Sequence, residues 1–351
     1  MGMAPDPHHG AAWRAWRAWR LRWKRRYLLG RAVRKRGQLR AVTDRTAKVG
    51  PGQILCFCTL RNEALRLPFW VDHHRKLGVD HFLFVDNDST DGTAELLAAL
   101  PDASVWHTRD SYRRSRFGMD WLGWLQLRHG HGHWCLTLDA DELLVLPHFG
   151  QARLPDLTRW LERQGWVNFR ALMIDLYPQG PLREAPYRAG QNPIEAIPFF
   201  DADNYTHHPR PELQTLLARG GVRARHFFAT APHRAPTMNK TPLVKWNRRF
   251  AYLDSTHSLL PPPLNRSFPE PGFDRPTGAL LHTKFLNTIV EKSVEEKQRK
   301  QHFSNSALYN DYYDGLIANP DLWTPGAHRF ESWQQLESLG LMTRGAWHSV
   351  D

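Results

Sequence analysis

The sequence predicts an α/β protein whose mostly parallel central sheet is covered by helices on both faces. Three observations predict it. From about residue 52, strand-like and helix-like stretches alternate. The strand-like runs are apolar at nearly every position, as strands buried on both faces must be. Three of them end in polar clusters, and parallel order would bring those ends to one edge of the sheet.

The elements follow in order. Gln53–Leu60 (QILCFCTL) is a compact apolar run that ends in the polar Arg61-Asn62-Glu63. EALRLPFWVDHHRKLG reads as a helix with Gly78 as its stop. His81–Asp86 is a second buried strand, running into DNDSTDGT, where Thr90 or Asp91 can cap the helix TAELLAAL. Ser104–Thr108 is a short third strand, and a helical stretch near Phe117–His129 leads to a strand over Trp134–Leu146, WCLTLDADELLVL. A helix over Leu154–Gly165 and a strand over Trp166–Tyr177 come next. Residues 178–280 are rich in Pro, Gly, Arg and His and give no clear topology, and a charged helix over Asn287–Phe303 follows. No internal repeat is visible.

The formal charge of +12 belongs to one arm. Residues 1–50 hold fourteen Lys and Arg against two acids, which leaves 51–351 formally neutral. Within the arm, WRAWRAWRLRWKRRYLL places Trp13, Trp16, Trp19, Trp23 and Tyr27 within an arc of about 120° on a helix, flanked by arginines. Aromatic rings at headgroup level and cations beside an anionic leaflet suit a helix lying on a membrane surface. Binding to nucleic acid, or a solvated tail, are the alternatives. No stretch reaches the roughly 20 apolar residues of a membrane span, and arginines interrupt the region where a signal peptide needs its apolar segment. The chain is therefore expected in the cytoplasm, peripheral on the inner face of the cell membrane. Cys56, Cys58 and Cys135 all sit in apolar runs, which argues against a disulfide scaffold and for buried thiols.

The run Leu136–Leu146 places three acids, Asp139, Asp141 and Glu142, among apolar residues. Carboxylates are seldom buried unless paired or bound to a metal. On an extended chain Asp139 and Asp141 point to one face while Ala140 points to the other. With phosphate oxygens and water, two carboxylates give an oxygen shell suited to Mg²⁺ or Mn²⁺. Glu142 is expected to hydrogen-bond neighbouring backbone. An isolated D-x-D is a weak signal, since DAD recurs at Asp201–Asp203. Here Arg61-Asn62-Glu63 and Asp86-Asn87-Asp88 stand beside it at the expected sheet edge.

The stretch LRNEALRLPFWVDHHRKLGVDHFLFVDNDSTDGT followed by WCLTLDADELLVL resembles the family-2-type glycosyltransferases. It is most similar to the bacterial branch whose first helix carries W-x-x-H-H-x-x-L-G. The likeness covers about residues 52–303 and implies a GT-A fold, with a nucleotide-binding half at 51–150 and an acceptor-binding half at 151–303. The basic arm of 1–50 precedes it, and an extension of 304–351 follows.

The resemblance implies sugar transfer from a nucleotide-sugar to a hydroxyl acceptor, a surface polysaccharide or lipid-linked glycan, with inversion and a divalent metal. It implies nucleotide contacts from Arg61, Asn62, Glu63, Asp86, Asn87, Asp88 and Asp139, a diphosphate contact from Lys284, and metal ligation by Asp139, Asp141 and His282. His257 is the rival ligand, and His73 and His74 are expected to be structural. Asp175, Asp201 and Asp203 are the candidates for the base that inversion needs. No nucleic-acid partner is expected. A nucleotidyltransferase would also use paired carboxylates, but CTLRNEALRL lacks the Gly-rich loop it would show. A non-catalytic binding protein is the other rival, and it has no need of three polar strand ends.

Overall fold

The computed structural model describes residues 10–266, 274–299 and 310–348; residues 300–303 of the expected last helix lie outside them. Nine strands form one sheet: β1 (Arg40–Thr43), β2 (Ile54–Leu60), β3 (His81–Asp86), β4 (Ala103–His107), β5 (Trp134–Thr137), β6 (Glu142–Val145), β7 (Asn168–Asp175), β8 (Asn239–Lys245) and β9 (Thr277–His282). Their order is β1-β4-β3-β2-β5-β8-β7-β9-β6. The run β4-β3-β2-β5 is parallel, as is the pair β7-β9. β1, β8 and β6 run antiparallel to their neighbours, so the sheet is mixed, with its parallel part where the sequence alternates strand and helix.

The continuous apolar character of β2 has its reason in two cores. Leu55 and Phe57 face one, with Leu83, Val85 and Trp121; Ile54, Cys56 and Cys58 face the other, with Trp70 and Leu157. Helix α2 (Leu67–Lys76) and a second helix further on (Leu154–Arg163) cover the latter face, and the helix Met119–Leu125 covers the former. All three cysteines are free and buried. The helix Thr93–Ala99 has Gly92 as its N-cap, and Asp91, one residue further out, accepts the Thr93 N–H at 3.1 Å.

One expectation needs correction. Trp134–Leu146 is not one strand. The chain leaves β5 at Thr137, turns through Asp139–Asp141, and enters β6 at the far edge of the sheet. Four strand spacings of about 4.8 Å separate β5 from β6, and the five residue steps from Thr137 to Glu142 reach at most about 18 Å. The sheet must coil, because a turn closed by the Glu142 N–H on the Asp139 carbonyl at 3.2 Å shortens the acidic segment further as it passes along the sheet edge. Alternation along a strand therefore does not aim these aspartates; the crossing does.

Among the described residues the arm, the body and the C-terminal residues share one sheet and core, and the expected boundary at 303/304 lies outside them. β1 joins the sheet from the arm, β7 to β9 continue the sheet of β2 to β5, and Trp333, Leu336 and Trp347 pack into the same core as β2. The arm itself is a 25-residue helix, α1 (Ala11–Lys35). Leu28 and Ala32 are buried against the body, and Arg31 pairs with the buried Asp120 at 2.7 Å. Trp16, Trp19, Trp23 and Tyr27 stay 49–56% exposed on its outer side, and Trp13, 36% exposed, lines a groove beneath it. No helix among the described residues is long and apolar enough to cross a membrane.

His73 and His74 bolt α2 to β6. His73 Nε2 donates to the Leu144 carbonyl at 2.9 Å. His74 Nδ1 donates to the Trp70 carbonyl at 2.8 Å, and its Nε2 accepts the Leu144 N–H at 3.3 Å. Only a neutral ring can do both. Burial, and then the neighbouring His73, hold the His74 pKa well below its ordinary 6.5. The unfolded chain thus takes the proton first, so the stabilisation is complete above pH 6.5 and is lost as pH falls below it. The denaturant midpoint is expected to fall between pH 7.5 and 5.5, by about 1.4 kcal/mol per pH unit for each proton taken up. In His74→Gln the slope should be shallower. A midpoint that stays flat over this range would refute the role given to His74.

Candidate active site

Parallel pairing sets the carboxyl ends of β2, β3 and β5 side by side, with Leu60 opposite Asp86 and Phe57 opposite Thr137. A cleft opens there. Arg61, Asn62 and Glu63 line it from the end of β2, Asn87 from the end of β3, and Asp139 and Asp141 from the crossing segment. Lys284, just after β9, and Lys292, from the helix Ile289–Arg299, close the opposite side.

The loops after β2 and β3 are tied to each other. Asn62 and Asp88 both adopt positive φ, at 52° and 61°, a backbone that Asn and Asp tolerate better than most residues. Asn62 accepts the Thr90 N–H at 2.8 Å, and its own N–H donates to Ser89 Oγ at 3.0 Å. The Arg61 guanidinium donates to the Asn87 carbonyl at 2.8 Å. Asp86 is buried and accepts from the Ser89 hydroxyl and N–H, so it shapes the turn and does not line the cleft. Asp88 lies among Arg61, Arg109 and His107 at 3.3–3.8 Å.

The crossing segment meets three strand ends. β8 runs antiparallel to β5, so its first residues lie at this edge, and Lys240 places Nζ 2.7 Å from the Asp139 carboxylate and in contact with Glu142. Glu142 is fully buried. Its carboxyl is pushed up to about 7: burial raises it most, Lys240 opposes burial, and Asp139 adds to the rise. Burial disfavours the Lys240 charge, but Asp139 and Glu142 outweigh it and keep the ammonium protonated. Glu142 also accepts the Asp139 N–H at 3.2 Å, the backbone role expected of it.

β7 and β9 end at the same edge, with Asp175 opposite His282. Asp141 lies 3.1 Å from His282 Nε2, His282 Nδ1 lies 2.6 Å from Asp175, and Asp175 accepts from Arg223 Nε at 2.7 Å. Burial opposes charge on Asp141, but His282, Arg66 and Lys284 overcome it and hold the carboxyl well below the usual range. Burial likewise lowers the His282 pKa, and the flanking Asp141 and Asp175 raise it above its ordinary value.

Of the residues singled out in the sequence, Arg61, Asn62, Glu63, Asn87, Asp139, Asp141 and Lys284 are brought together in the cleft, with His282 touching Asp141. The proposed bases are placed otherwise. Asp175 is buried between His282 and Arg223, and Asp201 is taken up by Tyr177 and by Arg225 at 2.7 Å. Asp203 is exposed, and none of the three lines the cleft. His257, the rival ligand, donates to the Asn239 carbonyl at 2.8 Å and braces β8 instead.

Among the described residues no three of His, Cys, Asp and Glu converge as a metal-binding group. Asp141 and His282 do face each other. Mg²⁺ and Mn²⁺ sites commonly use few protein donors and complete their shell with substrate phosphate and water. A ligating His that gives its other nitrogen to a carboxylate is the usual outer support, and Asp175 stands in that place. The residues present therefore fit a metal held by two side chains, with Asp139 paired to Lys240.

Sequence reading missed Lys240, Arg66, Arg223 and Lys292. Lys240 carried a signal: a lone cation opening an apolar run is as costly as the acids of Leu136–Leu146, and each needs the other.

Comparison with known proteins bears on this cleft. The chain is 31% identical over 114 residues to a glycosyltransferase family 92 protein of Oryza sativa subsp. japonica, a match covering 30% of this chain and 18% of that protein. It is 27% identical over 124 residues to a glycosyltransferase family 92 protein of Arabidopsis thaliana, covering 33% and 20%. These matches support a glycosyltransferase. The chain spans about a fifth of the length of these curated relatives. No protein-family model matches it. A solved structure of HddC from Yersinia pseudotuberculosis overlaps 69% of this chain and 98% of its own at 8% identity, with a TM-score of 0.28, too low for a shared overall topology.

Proposed function

We propose that this chain is a metal-dependent glycosyltransferase that moves a sugar from a nucleotide-sugar to a hydroxyl acceptor. The observation that carries the reading is the row Asp141–His282–Asp175–Arg223 beside a cleft at the carboxyl ends of parallel strands. Asp141 and His282 would hold Mn²⁺ or Mg²⁺, which when bound neutralises the charge of a departing diphosphate. Asp175 fixes the His282 ring so that Nε2 faces Asp141, and Arg223 keeps Asp175 ionised. Lys284, Lys292 and Arg66 line the cleft as the cations that would meet the diphosphate; in this structure Lys292 and Arg66 pair with Glu63, at 2.7 and 3.0 Å. Arg61, Asn62, Glu63 and Asn87 are positioned for the nucleoside. The likeness to family 92 proteins supports the sugar-transfer class.

The test is release of nucleoside diphosphate from a panel of nucleotide-sugars, with and without Mn²⁺. Metal-dependent release from one donor is expected. No release from any donor, together with no Mn²⁺-dependent nucleotide binding, would overturn the proposal.

We further propose that α1 lies on the inner, anionic face of the cell membrane, which suits an acceptor that is a lipid-linked or surface glycan. Its outward stripe of aromatic side chains, with Arg20 and Arg26 stacked on Trp16 and Trp23, supports this. Because α1 is packed into the body, the test replaces side chains and leaves the helix in place. Trp16→Ser/Trp19→Ser/Trp23→Ser should weaken co-sedimentation with phosphatidylglycerol vesicles at least tenfold. Equal pelleting of variant and parent would defeat the idea.

A further inference from the structure

Under α1, on the side away from the exposed tryptophans Trp16 and Trp19, a groove of about 830 Å³ runs between the helix and two loops, 211–214 and 260–263. Its volume lies within the range of pockets that hold small organic ligands, roughly 300–1,000 Å³. Four arginines of α1 line it: Arg14, Arg17, Arg22 and Arg25. Glu212 is the one acid among its lining residues, and it already has Arg17 at 3.9 Å and Arg210 at 3.6 Å. Arg14, Arg22 and Arg25 add three more cations to the lining. Burial, and after it the neighbouring Arg26, Arg22 and Arg249, lower the Arg25 pKa, so cations crowd one another here. Among the described residues no carboxylate forms an ion pair with Arg22 or Arg25. Crowded guanidinium groups without a carboxylate favour an anion, and their planar fork matches phosphate oxygens.

The opposite wall has a different chemistry. Leu260 and the consecutive Pro261, Pro262 and Pro263 face Trp13 and Leu21 across the groove. Proline has no N–H to donate, so this wall offers little to a peptide or to a hydrated ion. It suits hydrocarbon. A guanidinium cluster beside an apolar slot selects a molecule that is anionic at one end and apolar at the other.

We propose that the groove between α1 and the loop 260–263 binds the phosphate head of a lipid, with the start of its hydrocarbon chain along the Trp13 and proline wall. The site is distinct from the sugar-transfer cleft and does not depend on that reading. It also differs from the outward aromatic stripe, because it takes a single lipid and not a surface.

The test uses the full chain and dihexanoyl phosphatidylglycerol, kept monomeric below its micelle concentration, in a calorimetric titration. Saturable one-to-one binding is expected. Arg22→Gln/Arg25→Gln should weaken it at least tenfold, whereas Arg20→Gln/Arg34→Gln, which removes the same charge from the same helix outside the groove, should weaken it less than threefold. Pro263→Glu adds a carboxylate from the other wall and should weaken binding at least tenfold without touching α1. Dihexanoyl phosphatidylcholine should bind at least tenfold more weakly. No saturable binding, or equal losses in the two arginine pairs, would overturn the site. Competition by inorganic phosphate at concentrations equal to the lipid's would overturn the lipid as its ligand.

Discussion

Lys240→Met is expected to destabilise the fold by about 3–5 kcal/mol, the cost of leaving a buried charge without its partner. Lys240 and Glu142 are 3% and 0% exposed, and no other cation makes an ion pair with Glu142 among the described residues. Without the ammonium, Glu142 is left against Asp139 and Asp141, and its carboxyl moves further above its ordinary 4.5. A folded-state pKa above the unfolded one means that the protonated form is what the fold tolerates. The variant should therefore be most stable at low pH and lose stability as pH rises through the shifted value. Adding Glu142→Gln should restore much of the loss and flatten the pH dependence, because a neutral amide replaces the stranded carboxylate. Guanidinium unfolding at pH 6 and pH 8 checks both statements. A loss below 1 kcal/mol, or no recovery in the double variant, would contradict the pairing.

The second expectation concerns chemistry. Asp141→Asn should lower metal-dependent release of nucleoside diphosphate at least 100-fold, about 2.7 kcal/mol of barrier. Asp175→Asn acts through His282 and not on the donor. It should lower the rate by about 10–100-fold, and raise the Mn²⁺ concentration needed for half-maximal rate. The two variants also part in stability. Asn at 141, 23% exposed at the edge of the cleft, should cost less stability than Asn at 175, which leaves the buried Arg223 without its carboxylate. Equal activity in Asp141→Asn and parent would remove the metal role of Asp141.

Much of this arrangement was legible in the residues. β2 and β3 declare themselves because both of their faces are buried, and their polar ends follow from parallel order. The break in WCLTLDADELLVL was not legible. No glycine or proline marks the turn at Asp139–Asp141; partners about a hundred residues away hold it. β8 hid for the opposite reason. Pro242 argues against a central strand, and the structure admits it only through an irregularity in pairing with β7 between Lys240 and Leu243. Asp175 reads as a free acid at a strand end until His282 and Arg223 are seen to claim both of its oxygens. The density of cations in the arm likewise masked the stripe of Leu28 and Ala32 that seats α1 on the body.

The acidic segment that crosses the sheet edge also bears on when the site comes into being. Its ties to Lys240 and His282 span 98 to 141 residues of chain. Closing loops of that length costs entropy before any contact repays it, so such pairings come after the local ones. The carboxylates themselves are made early in synthesis, but the residues that give them charge balance are made much later. A chain still in synthesis carries Asp139 and Glu142 without Lys240 until residue 240 has emerged, and Asp141 with Arg66 but without His282 until residue 282 has emerged.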